Sequence, residues 1–294
     1  MMPATRPPLW VYVAALLLAA CVLVMVVVLD GFYWRTGLNL GRLQAEAGSR
    51  QVVVVGTSKT RLGIDYDARL LAHRPGAASA FSFHRVTRSS ATLDSLEPAF
   101  DVLHKNPPRL LLIESDLLLL DRHDASGAGL QELRLAMRQL PARMLELARG
   151  AATWDGNDGN DVHEQASQCA IHTSAAGLYA YAATARRWQV ASRRETSAFL
   201  SHIRALQQAG TEVVLLDIPR SAAADTVFPA ALATAVAAQR ADLQRQQGLS
   251  FWTPDSVIAD NEYCDQGHMT SAGQRRYSDW LARRLHQWRE SVHD

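Results

Sequence analysis

The chain has 294 residues, 48% of them hydrophobic, and a formal net charge of +1. That length allows one large domain or two small ones with a sizeable buried core. Lysine and arginine are spread along the chain with no basic block or aromatic-basic stripe, which argues against nucleic acid as a partner.

Leu9 to Leu29 is an uncharged apolar run of about twenty-one residues, enough to cross a bilayer core of ~30 Å as a helix. Trp10 and Tyr12 at one end, with Phe32, Tyr33 and Trp34 beyond the other, suit the two membrane interfaces. Arg6 and the terminal amine favour an inside N-terminus, against which Arg35 and Arg42 count. The expectation is a single-pass anchor in the inner (cytoplasmic) membrane (residues 1–30, spanning at 9–29) with the remainder on the periplasmic or extracellular side. A cleaved signal is the alternative, since Leu18-Ala19-Ala20-Cys21 has the form of a lipobox, although the apolar run continues past it.

Residues 31–50, with four glycines among polar and aromatic residues, read as a tether. A domain is expected from residue 51 to residue 294. Val52–Val55, closed by Gly56, is a β-branched run with the signature of a buried strand. Ile64–His73 reads as a helix or helical turn, and Ala80–Val86 as a second strand. Ser90–His104 reads as a helix that Pro98 kinks or splits. Leu110–Ile113 is a third strand.

Residues 121–193 break the rhythm and read as an insertion, with helices near Leu130–Arg149 and Ala175–Ala191. Its Asp155–Asp161 stretch contains Gly-Asn-Asp twice but lacks the phasing of an EF-hand loop. A polar loop is expected there, with a Ca²⁺ site as the alternative. A helix over Arg194–Gln208, a strand at Val213–Leu216, a helix over Ala222–Gln247 and a short strand near Leu249–Trp252 complete the alternation. Continuous apolar strands alternating with helices predict an α/β fold, a parallel sheet flanked by helices.

Ligands of such sheets sit beyond the carboxyl ends of the strands. Ser58, Glu114-Ser115-Asp116 and Asp217-Ile218-Pro219-Arg220 all follow strand ends. Asp265 and His268 lie three apart on a loop ahead of the last helix, near Gln274–Leu285. An imidazole can take a proton from a nucleophile while a carboxylate fixes its tautomer, and Ser58 is the candidate nucleophile. The plainer alternatives are a βα turn capped by Thr57 or Ser58 and a capping Asp beside a surface His. The remaining histidines lack ligand spacing, so no metal site is expected. Cys169 and Cys264, in a domain facing an oxidising compartment, are candidates for a disulfide, with two separate buried thiols as the alternative.

A Val-rich strand ending Gly56-Thr57-Ser58, followed by Arg61-Leu62-Gly63-Ile64-Asp65, resembles the first block of the SGNH (GDSL-like) hydrolases. Asp265-Gln266-Gly267-His268-Met269-Thr270, with Gly273, is similar to their last block. The Gly-x-Ser and Gly-Ile-Asp forms look most like the membrane-anchored branch, which includes relatives of alginate O-acetylation proteins and of the D-alanylation protein of lipoteichoic acid synthesis. The resemblance implies a flavodoxin-like sheet, Ser58 as nucleophile, His268 as base and then acid, and Asp265 as orienting carboxylate. It implies acyl transfer, with acetyl the expected group, between an acyl donor and an envelope or exopolysaccharide glycan. No cofactor is implied, and a membrane-bound acyltransferase is an expected partner.

The middle blocks depart from the family pattern. Arg85, Thr87 and Ser90 stand where Asn and Gly donors are usual, and Gly-x-Asn-Asp is absent after the third strand. Arg85, Thr87 and Ser90 are therefore the oxyanion or substrate-binding candidates, with Arg220 as a contact for an anionic substrate. A non-catalytic glycan-binding or assembly component on the same fold is the competing reading.

Overall fold

The computed structural model describes residues 10–13, 16–18, 21–22, 51–64, 81–88, 91–121, 174–255 and 258–293. Among these no helix is long and apolar enough to cross a membrane. Most of the 9–29 run, the tether, the bulk of the expected helix at Ile64–His73 and residues 122–173 lie outside them.

In chain order the elements are β1 (Gln51–Gly56), α1 (Ser58–Gly63), β2 (Ser82–Thr87), a 3-10 turn (Asp94–Leu96) and α2 (Glu97–Lys105). They continue with β3 (Leu110–Glu114), α3 (Asp116–Leu119), β4 (Leu120–Asp121), α4 (Ala175–Ala185), β5 (Gln189–Val190) and α5 (Arg193–Gln208). The last are β6 (Glu212–Leu216), α6 (Ala222–Val227), α7 (Ala230–Gln247), β7 (Ser250–Trp252), a 3-10 turn (Asp260–Glu262) and α8 (Ser271–His293).

The main sheet has the order β2-β1-β3-β6-β7, with every pairing parallel. Counting its own strands, this is the doubly wound order 2-1-3-4-5, in which the crevice between the first and third strands is the switch point that receives ligands. The five buried residues Leu110–Glu114 and the fully buried Gln51–Gly56 form its centre. Because side chains alternate along a strand, the same run feeds two cores. Val53, Val55, Leu111 and Ile113 pack with Phe100, Phe199 and Ile203 on one face. Val52, Val54, Leu110 and Leu112 pack with Tyr277, Leu281 and Leu285 on the other. Each such buried side chain contributes about 1.5–3 kcal/mol.

Three expected boundaries move. Instead of one helix over Ser90–His104, α2 starts at Glu97, so Pro98 falls in the first turn, where its missing N–H has no bond to lose. The run Ala222–Gln247 is two helices: Pro229 caps α7, and Phe228 before it is extended, as a residue preceding proline prefers. The helix expected over Ala175–Ala191 ends at Ala185, and Gln189–Val190 pairs antiparallel with β4.

Candidate active site

β1 delivers its chain to the switch point and turns at once into α1. Thr57 is the N-cap, its hydroxyl accepting from Lys59 N at 3.2 Å. Ser58 is therefore the first residue of the helix, half-buried, and its N–H has no intrahelical acceptor. Gly56 is required at this bend: a side chain there would overlap Thr60 and lie 2.8 Å from Glu114 Oε2.

The partner loop is built from the other end of the chain. Tyr263 and Met269 form an antiparallel bridge, and Cys264 N donates to His268 O at 2.7 Å, closing a tight loop. Within it Asp265 Oδ1 accepts from the N–H groups of both Gly267 and His268 at 2.8 Å. Oδ2 of the same carboxylate lies 2.7 Å from His268 Nδ1. His268 Nε2 lies 2.9 Å from Ser58 Oγ. The three residues expected to act together thus form one hydrogen-bonded relay at the carboxyl end of the sheet. With Nδ1 donating to the carboxylate, Nε2 is the acceptor for the serine proton. Burial alone would raise the Asp265 carboxyl. The hydrogen bond and charge of His268, with the Gly267 and His268 amides, outweigh it and hold the group below its ordinary range.

Two contacts tie the loop and the helix behind it to the segments after β6 and α1. Ser221 N donates to Gln266 O at 3.1 Å, and Gln274 Nε2 at the start of α8 donates to Ile64 O at 3.2 Å. Cys264 is disulfide-bonded, while its expected partner Cys169 lies outside the described residues, as do Ser90 and the Asp155–Asp161 loop. Cys21 is a free, exposed thiol.

The remaining candidates stand differently. Thr87 ends β2 in register with Gly56, at the same end of the sheet as Ser58. Arg85 is engaged within the protein. Its buried Nη1 donates to Arg61 O at 2.9 Å and Ile64 O at 2.6 Å, so it ties down the C-terminal turn of α1. Those carbonyls are orphaned by the helix end and supply its acceptors. Arg220 is held within the protein as well: Nε is 3.2 Å from Asp225 Oδ1, and the guanidinium sits 4.0 Å over the Phe228 ring. Burial disfavours its charge, but Asp116, Tyr181 and Asp225 together restore it and raise the pKa.

Sequence reasoning placed Glu114 and Asp116 at a strand end without giving either a specific role, and singled out neither Lys59 nor Thr60; all four line the underside of the Ser58 turn. Glu114, only 1% exposed, accepts from Thr57 N at 2.7 Å, Thr57 Oγ1 at 2.8 and 2.9 Å, and Thr60 Oγ1 at 2.7 Å. Lys59 Nζ, 7% exposed as a residue, reaches Asp116 Oδ2 at 2.9 Å and Ile218 O at 2.7 Å. The available signal was an acidic residue ending an otherwise apolar central strand, opposite two threonines spaced to share a helical face.

No protein-family model matches the chain, and no curated protein does. Among solved structures it is similar to a protein from Desulfitobacterium hafniense DCB-2 described as lipolytic and of the G-D-S-L family. Identity is 12% and the TM-score 0.36, over 80% of this chain and 99% of that one. An extracellular lipase from Streptomyces rimosus shows 12% identity and a TM-score of 0.35, over 79% of this chain and 98% of that one. At this level of similarity the chemistry of the site rests on its own geometry.

Proposed function

We propose that this protein is a serine acyl esterase or O-acyltransferase of the SGNH type, working through an acyl-Ser58 intermediate. The observation that carries the reading is the Ser58–His268–Asp265 relay, with 2.9 and 2.7 Å links, at the switch point of a parallel sheet. Surface capping does not require an imidazole to bridge a carboxylate to a hydroxyl 210 positions away.

The steps follow from the atoms present. Ser58 Oγ attacks the ester carbonyl carbon while its proton passes to His268 Nε2, and Asp265 stabilises the imidazolium through Nδ1–H. The oxyanion meets the Ser58 N–H, which the helix leaves unused. Collapse breaks the ester C–O bond, and the leaving alkoxide takes the proton from His268. Water or a sugar hydroxyl then gives its proton to His268 and attacks the acyl carbon, and Ser58 leaves with the proton restored. Relay and amide together require no metal or organic cofactor.

The finer assignment is to acetyl groups on envelope or exopolysaccharide glycans, with the domain held on the outer side of the cytoplasmic membrane by residues 9–29. It is supported by the uncharged run Leu9–Leu29 and by the Gly-Thr-Ser and Asp-Gln-Gly-His blocks. An enzyme modifying a polymer at the cell surface gains from tethering, which places it near a membrane-bound source of acyl groups.

Incubating the full-length chain with a fluorophosphonate and measuring intact mass tests the reading. One adduct is expected on the wild type, mapped to Ser58, absent in Ser58→Ala and strongly slowed in His268→Ala. An unlabelled wild type, or equal labelling of Ser58→Ala, overturns it. Supplying p-nitrophenyl acetate with an oligosaccharide acceptor then separates transfer from hydrolysis.

A further inference from the structure

Ser58 is the one residue of Thr57–Thr60 with no bond to the Glu114–Asp116 stretch at the end of β3. Thr57 and Thr60 donate to Glu114, and Lys59 to Asp116. Ser58 alone turns away, toward His268. The Thr60 side chain fills the volume that a side chain on Gly56 would need, and Glu114 Oε2 lies 2.8 Å from the same point, so glycine, threonines and glutamate form one packed unit.

We infer that Glu114 is a positioning residue for Ser58, gripping the turn on both sides of the nucleophile, with Asp116 gripping Lys59 between them. The inference rests on the serine acyl-transfer reading. Glu114 touches no reacting atom. It acts by fixing the backbone from which the serine hydroxyl and the Ser58 N–H both project. Thr57 N–H can only donate, and the Thr57 hydroxyl accepts from Lys59 N, so its own proton is directed at the carboxylate. Acceptor-only oxygens suit this cluster of donors, and a charged acceptor shortens and strengthens such bonds. A glutamine would turn an NH₂ toward one of these donors. Misplacing a reacting group by ~1 Å can cost about 10²-fold in rate, which is the lever Glu114 would hold.

The test uses the full-length chain and a fluorophosphonate, separating the maximal labelling rate from the half-saturating concentration. Glu114→Gln and Thr60→Val are each expected to lower the maximal rate about 10- to 100-fold. The half-saturating concentration is expected to stay within roughly twofold, since the binding surface is untouched. Thr60→Ser, which restores the hydroxyl, is expected to recover most of the loss. Rates are read well below each variant's unfolding midpoint, so loss of fold alone does not move them. Should Glu114→Gln fail to fold, the Thr60→Val and Thr60→Ser pair decides the matter. Folded variants labelling as fast as wild type overturn this inference alone. An unlabelled wild type overturns the serine reading and this inference with it.

Discussion

The first turn of α8 lies so close to Glu262 that Gly273 has no room for a side chain: its Cβ would overlap the Glu262 carbonyl oxygen and stand 3.2 Å from Met269 Cβ. The same carbonyl accepts from Thr270 N at 2.8 Å and Thr270 Oγ1 at 3.1 Å. Met269 and Thr270 directly follow His268, so this contact sets where the imidazole is delivered. Gly267 differs, because a Cβ there meets only the Lys59 stem at 3.8–3.9 Å, an ordinary packing distance.

Gly273→Ala is therefore expected to destabilise the fold by about 1–3 kcal/mol, the usual cost of overpacking, and to slow fluorophosphonate labelling. Gly267→Ala is expected to do neither. Urea unfolding of both variants checks the contrast, and equal midpoints for the two would count against it.

Asp265→Asn tests the carboxylate separately from the imidazole. The amide can still accept at one position, but it lacks the charge that steadies the imidazolium and can turn an N–H toward Nδ1. Turnover of p-nitrophenyl acetate is expected to fall about 10²- to 10⁴-fold, the scale of a lost orienting carboxylate. A drop of less than about threefold would show that His268 works without it.

How far the chain could be read depended on whether the relevant partners were local. Val52–Val55 and Leu110–Ile113 announce central strands because both sheet faces are covered and no polar residue interrupts the run. Ser58 and the Asp265–His268 pair were visible because each stands on a strand end or loop whose position follows from those strands. The place of Glu114 at a strand end was visible too, but its role was not, because its donors lie 54 and 57 positions away and a single glutamate at a strand end does not show what it binds. Lys59 reads as a surface residue, yet it is buried with Asp116 and a backbone carbonyl. Arg85 and Arg220 had the charge and placement of substrate contacts. The first faces orphaned helix carbonyls, and the second is held by Asp225 and Phe228.

The lowered pKa of Asp265 gives the loop a defined acid sensitivity. An unfolded carboxyl titrates near about 3.9, and here the folded value lies below that. The folded state therefore binds fewer protons, so the stabilisation is complete above the unfolded value and is lost as pH falls through the folded one. The thermal midpoint of wild type minus Asp265→Asn is expected to be level from about pH 5 to 7 and to shrink below about pH 4. A difference that instead changes most near neutral pH would assign the effect to another group.

Tyr277 offers a stability test that leaves the reacting atoms alone. Its ring is buried beneath the sheet, and its hydroxyl donates to Asp217 O at 2.9 Å. Asp217 is further tied by Arg240 Nη1 at 2.6 Å, so the loop after β6 cannot swing to find another donor. Removing the hydroxyl in Tyr277→Phe strands that carbonyl, at an expected cost of about 1–3 kcal/mol in urea unfolding. Burial, then the charges of Asp217 and Glu114 and the neighbouring Tyr263, raise the phenol well above its ordinary value. A raised folded pKa gives stability that is fully present below the unfolded value, about 10, and lost as pH rises through the folded one. Wild type should consequently lose more stability than Tyr277→Phe as the pH climbs above about 10, narrowing the gap between them. Parallel curves would mean that Tyr277 does not supply the alkaline sensitivity.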